Sequence, residues 1–309
     1  MSNQTAKSLY HTRQIKELEQ NAINNGIDVN LLMNRDYSVK NLDLSELAKY
    51  LPKRKRSANK GDFGHVLIVG GDFGMGGAVS MAGAAALRVG AGLVTIATHK
   101  EHIAAINARY PEIMCFAVES ARQLKPLLEK ATVIVVGPGL GKSKWSEHLL
   151  RVIISSTTAK VCDADALNLL KTGIANAIYT PHPGEAARML QVSTNEIQKD
   201  RFAAIVSLQK KYGGICALKG FGTLVKGEDE KIGLCSFGNP GMASGGMGDI
   251  LSGIIGGLLA QGLSLIKAAE FGVCLHAIAG DLAAKELGER GLLATDLLSY
   301  IRRLVNEKV

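Results

Sequence analysis

Between Gly238 and Gly253 the chain reads GNPGMASGGMGDILSG, and this run holds the residues best suited to chemistry on a phosphate. Glycines let backbone N–H groups come close to a ligand. The apolar residues that follow (Ile250, Leu251, Ile254, Ile255, Leu258, Leu259) predict a helix. The first turn of such a helix offers unpaired N–H groups and the positive end of a dipole, which together bind anions. Asp249 stands where the glycines give way to the helix. A carboxylate there is either a cap or a base beside a phosphate, and a cap alone does not need so many glycines in front of it.

Other glycine loops follow strand-like runs: GGDFGMGGA (70–78), GPGLG (137–141), PHPGE (181–185) and KGFGT (219–223). In open α/β sheets ligands lie at the carboxyl ends of strands, so loops of this kind converge on one cleft. His182, rigid between two prolines, reads as a ligand contact, with Glu185 starting a helix. Lys219, Thr223 and the N–H groups of Gly220 and Gly222 could hold a phosphate or a ribose. Two common fingerprints fail. GPGLGKS ends like a P-loop but has Val136 where the first glycine belongs, and G-x-G-x-x-G is matched nowhere.

The elements that must position these loops alternate. Strands are expected at 65–70, 93–98, 113–118, 132–136, 160–165, 177–180 and 215–220, with a late hairpin near 222–226 and 231–236. Helices are expected at 77–90, 144–155, 185–190, 195–212, 246–261, 264–286 and 294–307. That spacing argues a mostly parallel sheet covered on both faces. Residues 1–50 differ: they are polar and helix-forming and lack strand signals. RQIKELEQNAINN carries a narrow apolar stripe (Ile15, Leu18, Ala22, Ile23) suited to docking.

At 309 residues and 47% hydrophobic, the chain can bury one large core or two modest ones. The net charge of +8 is concentrated in Lys53–Arg56 and Lys60. No aromatic residue interleaves these charges, so they read as a solvated linker rather than a nucleic-acid surface. The five cysteines are scattered without a C-x-x-C pair, as in buried thiols of a reducing compartment rather than a zinc site. No signal-like or membrane-spanning run occurs, so a cytoplasmic protein without membrane partners is expected.

The ordered set KGDFGHVLIVGG, GGAVSMAGAAALRVGAGLV, VVGPGLG, DADALNLL, TPHPGEAARML, KGFGTLV and GNPGMASGGMGDILSGIIGGLLAQG resembles the NAD(P)H-hydrate dehydratases over about residues 50–305. The resemblance implies a ribokinase-like three-layer α/β/α sandwich. It implies dehydration of the S-epimer of NADHX or NADPHX with ADP or ATP as co-substrate, Mg2+ accompanying the nucleotide, and a homo-oligomer, with a tetramer among the options. Carried over by motif, Asp249 is the base, and N–H groups around Gly245, Gly246 and Gly248 neutralise the transferred phosphoryl group. Lys219, Gly220, Phe221, Gly222, Thr223 and Gly248 lie along the adenine nucleotide. Ala78, Gly139 and His182, with Asp249, contact the hydrated dinucleotide. Asp163 and Asp165 either shape the cleft, organise a cation or serve a structural role at a strand end; no dedicated metal-ligand cluster is apparent. Residues 1–45 resemble a remnant of the epimerase domain that precedes the dehydratase (46–309) in two-domain members, so epimerase activity is not expected. Two other readings use the same features: a ribokinase-like small-molecule kinase, and a nucleotide-binding module without catalysis.

Overall fold

The computed structural model describes residues 37–306, and the helix expected within 1–36 lies outside them. In chain order the elements are β1 (Val39–Asn41), α1 (Leu44–Ala48), β2 (His65–Val69), α2 (Gly76–Val89), β3 (Leu93–Thr98), α3 (Lys100–Arg109), β4 (Met114–Ala117), α4 (Ala121–Lys130), β5 (Val133–Val136) and α5 (Lys144–Ile154). There follow β6 (Ala159–Cys162), α6 (Ala164–Leu169), β7 (Ala177–Tyr179), α7 (Pro183–Leu190), α8 (Thr194–Lys199), α9 (Arg201–Tyr212), β8 (Ile215–Leu218), β9 (Thr223–Lys226), β10 (Ile232–Cys235), α10 (Met247–Ala260), α11 (Leu265–Leu287) and α12 (Leu297–Asn306).

All ten strands form one sheet in the order β1-β10-β9-β8-β7-β6-β5-β2-β3-β4. Only β9 runs antiparallel to its neighbours, pairing with β8 and making the expected hairpin with β10. The central strands are continuous apolar runs, as HVLIV and VIVV, because both faces are covered. One core packs α2, α10, α11 and α12 on one face, and a second packs helices including α5, α7 and α9 on the other. The result is the expected three-layer α/β/α sandwich. After β4 the chain returns to the other side of β2, so the crevice between the ends of β2 and β5 is the switch point of the sheet.

Helix α10 sits unusually close to α2. A Cβ on Gly253 would meet the Ala82 carbonyl oxygen at 2.1 Å, and one on Gly257 would meet Val89 at 2.4 Å. Small residues therefore fix the height of α10, and with it the position of the Asp249 turn.

Helices α3 and α4 form where none was expected, and α6 begins inside the strand expected at 160–165. Two further features differ from the sequence reading. A strand forms in the polar N-terminal stretch: Val39–Asn41 pairs in parallel with Ile232–Leu234. It is anchored by Lys40 Nζ, 2.7 Å from buried Glu270 Oε1 on α11, and Glu270 also receives Lys267 at 3.2 Å. The sheet therefore begins before residue 46, and the expected boundary at 45–46 cuts through α1. The single helix expected over 195–212 is two, because Asp200 leaves the helical conformation (φ −146°, ψ 82°) and its carboxylate caps α9 by accepting from the Ala203 N–H at 3.0 Å.

Candidate active site

The carboxyl ends of β6, β7 and β8 and the N-terminus of α10 bring their side chains to one place. Asp163 follows β6 and is 1% exposed at its side chain; its Oδ1 accepts from Thr180 Oγ1 at 2.8 Å and from Lys219 Nζ at 2.7 Å. Lys219 follows β8 and also faces Glu185 Oε2 at 3.8 Å. Its ammonium is held above its ordinary pKa by these carboxylates, against the opposing effect of burial. His182 caps α7: the N–H groups of Gly184 and Glu185 donate to its Nδ1 at 3.0 and 3.4 Å, while its own N–H donates to Glu185 Oε2 at 2.7 Å. Burial, and after it nearby Lys219, lower its pKa.

Gly246, at φ 91°, is the N-cap residue of α10, in the left-handed region that glycine tolerates. No side chain caps this helix. Asp249 is its third residue and does not serve as its cap, so of the two roles open to it from sequence the capping role falls away. Burial, with Asp163 next in weight, pushes its carboxyl up to about 7, although Lys219 pulls the other way. A Cβ on Gly248 would lie 3.3 Å from Lys219 Nζ and 3.4 Å from Asp163 Oδ2, so the turn presses directly on the ion pair. A Cβ on Gly245 would meet nothing within 4 Å. The site thus offers a carboxyl that titrates near neutrality, an ammonium, and an uncapped helix start.

The other two groups of sequence-predicted residues lie around this centre. Ala78 and Gly139 meet at the switch point: a Cβ on Gly139 would be 3.1 Å from the Ala78 Cβ. The two loops are tied by Gly71 N–H donating to Pro138 O (3.0 Å) and Asp72 N–H to Gly139 O (2.6 Å). Asp165, in the first turn of α6, joins them to that helix, accepting from Gly141 N–H at 2.9 Å. In the Lys219–Thr223 turn, Thr223 Oγ1 is used internally, donating to Gly220 O at 3.0 Å. Phe221 is 66% exposed.

Sequence reasoning missed the groups that hold these loops. Arg201 at the start of α9 donates to the carbonyl oxygens of Leu218 (3.1 Å), Lys219 (3.2 Å) and Gly222 (3.1 Å). It presses so closely on Gly220 that a Cβ there would meet Nη1 at 2.7 Å, which makes Arg201, rather than an open approach path, the neighbour a side chain at 220 would strike. Asp281 on α11 plays a similar part, accepting from Gly238 N–H (2.9 Å) and Asn239 Nδ2 (2.8 Å). Neither contact has a local sequence signal, since the partners lie 17–21 and 42–43 residues apart. Among the described residues no group of three or more His, Cys, Asp or Glu is placed to hold a metal ion.

The profile of the NAD(P)H-hydrate dehydratases matches residues 66–303. This chain belongs to the NAD(P)H-hydrate dehydratase family. It is 59% identical to the bifunctional NAD(P)H-hydrate repair enzyme of Coxiella burnetii, covering 83% of this chain and 53% of that protein. The chain thus spans about half the length of such bifunctional relatives. It is 38% identical to the ADP-dependent (S)-NAD(P)H-hydrate dehydratase of Neisseria meningitidis, over 82% of this chain and 88% of that one. Among solved structures, the ADP/ATP-dependent NAD(P)H-hydrate dehydratase of Bacillus subtilis, co-crystallised with ATP and Mg2+, superposes with a TM-score of 0.75 at 28% identity, over 85% of this chain and 96% of that one. A ribokinase-like superfamily protein of Enterococcus faecalis gives 0.80 at 29% identity, over 86% and 95%. These likenesses support the expected ribokinase-like fold. No helix among the described residues is long and apolar enough to cross a membrane.

Proposed function

We propose that this protein dehydrates the S-epimer of NADHX or NADPHX, using ADP or ATP. One observation carries the reading beyond family membership: Asp249, with a carboxyl pKa near 7, stands in the uncapped first turn of α10 beside Lys219. A base works best when its pKa is near the operating pH, and a helix start stabilises phosphoryl charge.

In this reading Asp249 takes the proton of the ring hydroxyl as that oxygen forms a bond to the terminal phosphorus of the nucleotide. The bond from that phosphorus to the leaving nucleotide breaks, releasing AMP from ADP. The new phosphate ester then leaves with the electron pair of its C–O bond, pushed by the ring nitrogen, and loss of a ring proton restores the dihydropyridine. Hydrated cofactor and ADP give NAD(P)H, AMP, phosphate and a proton. A hydroxyl is a poor leaving group and phosphate a good one, so the protein's work is positioning, one base and anion stabilisation.

The N–H groups around Gly245, Gly246 and Gly248 serve the transferred phosphoryl group. The Lys219–Thr223 turn and Gly248 serve the adenine nucleotide, and Ala78, Gly139 and His182 serve the dinucleotide. Mg2+ would accompany the nucleotide and offset its phosphate charge; no side-chain cluster among the described residues is assigned to it. The reading includes a cytoplasmic homo-oligomer and no epimerase activity for these residues.

The test is to incubate the protein with NADHX and ADP and follow recovery of the NADH absorbance band, with AMP and phosphate released in equal amounts. No recovery, or accumulation of a phosphorylated substrate, would overturn it.

A further inference from the structure

The loop from Gly70 to Met75 carries an aromatic ring that the reaction above does not use. Phe73 is 65% exposed. Single exposed apolar side chains are ordinary, but this one is backed and held. Its ring stacks on His99 at 4.2 Å and 14°, and His99 stacks in turn on Trp145 at 4.2 Å and 30°. His99 is buried, and its Nε2 lies 3.1 Å from Asp72 Oδ1. Trp145 is fixed by donating from Nε1 to Val118 O at 2.7 Å. Phe73 N–H donates to Asp72 Oδ1 at 2.9 Å, and His102 Nε2 lies 3.2 Å from the Asp72 carbonyl oxygen. The outermost ring of a three-ring stack is therefore presented on a braced loop, with one face free of any aromatic partner among the described residues.

Its place in the sheet points to an occupant. The same loop touches the Ala78–Gly139 subsite, since a Cβ on Gly139 would meet the Met75 Cβ at 2.8 Å. Asp163, beside Asp249, ends β6, whereas His99 follows β3, and β5 and β2 lie between them. Three strand spacings of about 4.8 Å separate the two ends by about 14 Å. A ligand with its reacting ring at Asp249 must be an extended dinucleotide to reach Phe73. The hydrated nicotinamide ring is partly saturated and stacks poorly, while the adenine at the far end is fully aromatic.

We propose that the free face of Phe73 stacks the adenine ring of the hydrated dinucleotide, making this loop the distal recognition site for the substrate. The inference rests on the dehydratase reading for the identity of the ligand, but its test does not depend on turnover.

Calorimetry on the full chain would compare NADH with reduced nicotinamide mononucleotide, which lacks the adenosine half. Loss of a base–aromatic stack predicts about 10- to 100-fold weaker NADH binding in Phe73→Ala. Affinity for the mononucleotide and for ADP should change less than about twofold, and Phe73→Trp should keep NADH affinity. Equal losses for NADH and the mononucleotide, a loss confined to ADP, an unchanged NADH affinity, or no NADH binding by the unaltered protein would each overturn the proposal. Unchanged NADH affinity with a smaller species in light scattering would assign the ring to a contact between copies instead. The expected binding pattern without dehydration of NADHX would sink the dehydratase reading and leave the Phe73 assignment standing.

Discussion

Lys219 Nζ and Asp163 Oδ1 lie 2.7 Å apart across the ends of β8 and β6, and Gly248 rests against both. The ammonium is thus paired before a nucleotide arrives, and an incoming phosphate must share it with a buried carboxylate. This pair sets the electrostatics that Asp249 feels.

Removing the base should separate catalysis from fold. Asp249→Asn should lower kcat by about 10²-fold or more, the scale of losing a positioned general base. ADP affinity should hold, because the groups offered to the phosphate are backbone N–H groups and Lys219, not Asp249. A variant with near-normal turnover would refute the role.

The same substitution should affect stability with a definite sign. The folded-state pKa of Asp249 is raised from 3.8 to about 7, so folding favours the protonated acid. Its stabilising contribution is therefore complete below pH 4 and is lost as pH rises towards and past 7. Asn stays neutral throughout, so Asp249→Asn should match the unaltered protein near pH 4 and melt about 2 °C higher or more at pH 8. Thermal melts across that range would show it, and equal Tm values at pH 8 would contradict it.

Activity should follow the basic form, so kcat/KM should rise with pH through an apparent pKa near 7. Lys219 lowers that value, and removing it should move the acid limb to higher pH by about one unit in Lys219→Ala. Leaving Asp163 buried and unpaired should also cost about 3 kcal/mol of stability. A pH–rate profile with an unmoved limb would show that the two groups are not coupled.

Arg201→Lys should act on nucleotide binding. One ammonium cannot reproduce a fork that reaches the carbonyls of Leu218, Lys219 and Gly222. The KM for ADP should rise about tenfold, with the KM for NADHX little changed, because the turn loses its shape and the switch-point loops keep theirs. Parallel rises in both would indicate a general structural defect.

Glu270→Gln should weaken the anchorage of β1. Both Lys40 and Lys267 lose a charged acceptor on α11, at a cost of about 1–3 kcal/mol. Chemical denaturation would read this as a lower midpoint, and an unchanged midpoint would mean that the pairing of β1 with β10 holds without it.

The sheet was legible because its strands are short apolar runs bounded by glycine loops, a pattern that survives without knowing neighbours. β1 was not, because VKN has three residues and a central lysine, and it is a strand only through Glu270 and the edge of β10. The break at Asp200 was hidden because a helical pattern continues through it, and a capping aspartate looks like any other polar residue. In the candidate site, the glycine turns and Asp249 announced themselves in sequence. The neutral-range pKa of Asp249 could not, since it comes from burial and from carboxylates 86 and 84 positions away, at Asp163 and Asp165. Arg201 and Asp281 escaped for the same reason: they act on backbone that only folding brings to them.

Trp145 is the single tryptophan of the chain. Light absorbed at the red edge of the protein band is therefore absorbed at one known place, stacked on His99, whose other face carries Phe73 of the loop that follows β2. The molecule carries its own optical gauge: emission that shifts while the far-ultraviolet dichroism stays constant reports the parting of these rings alone, in native protein and without a label.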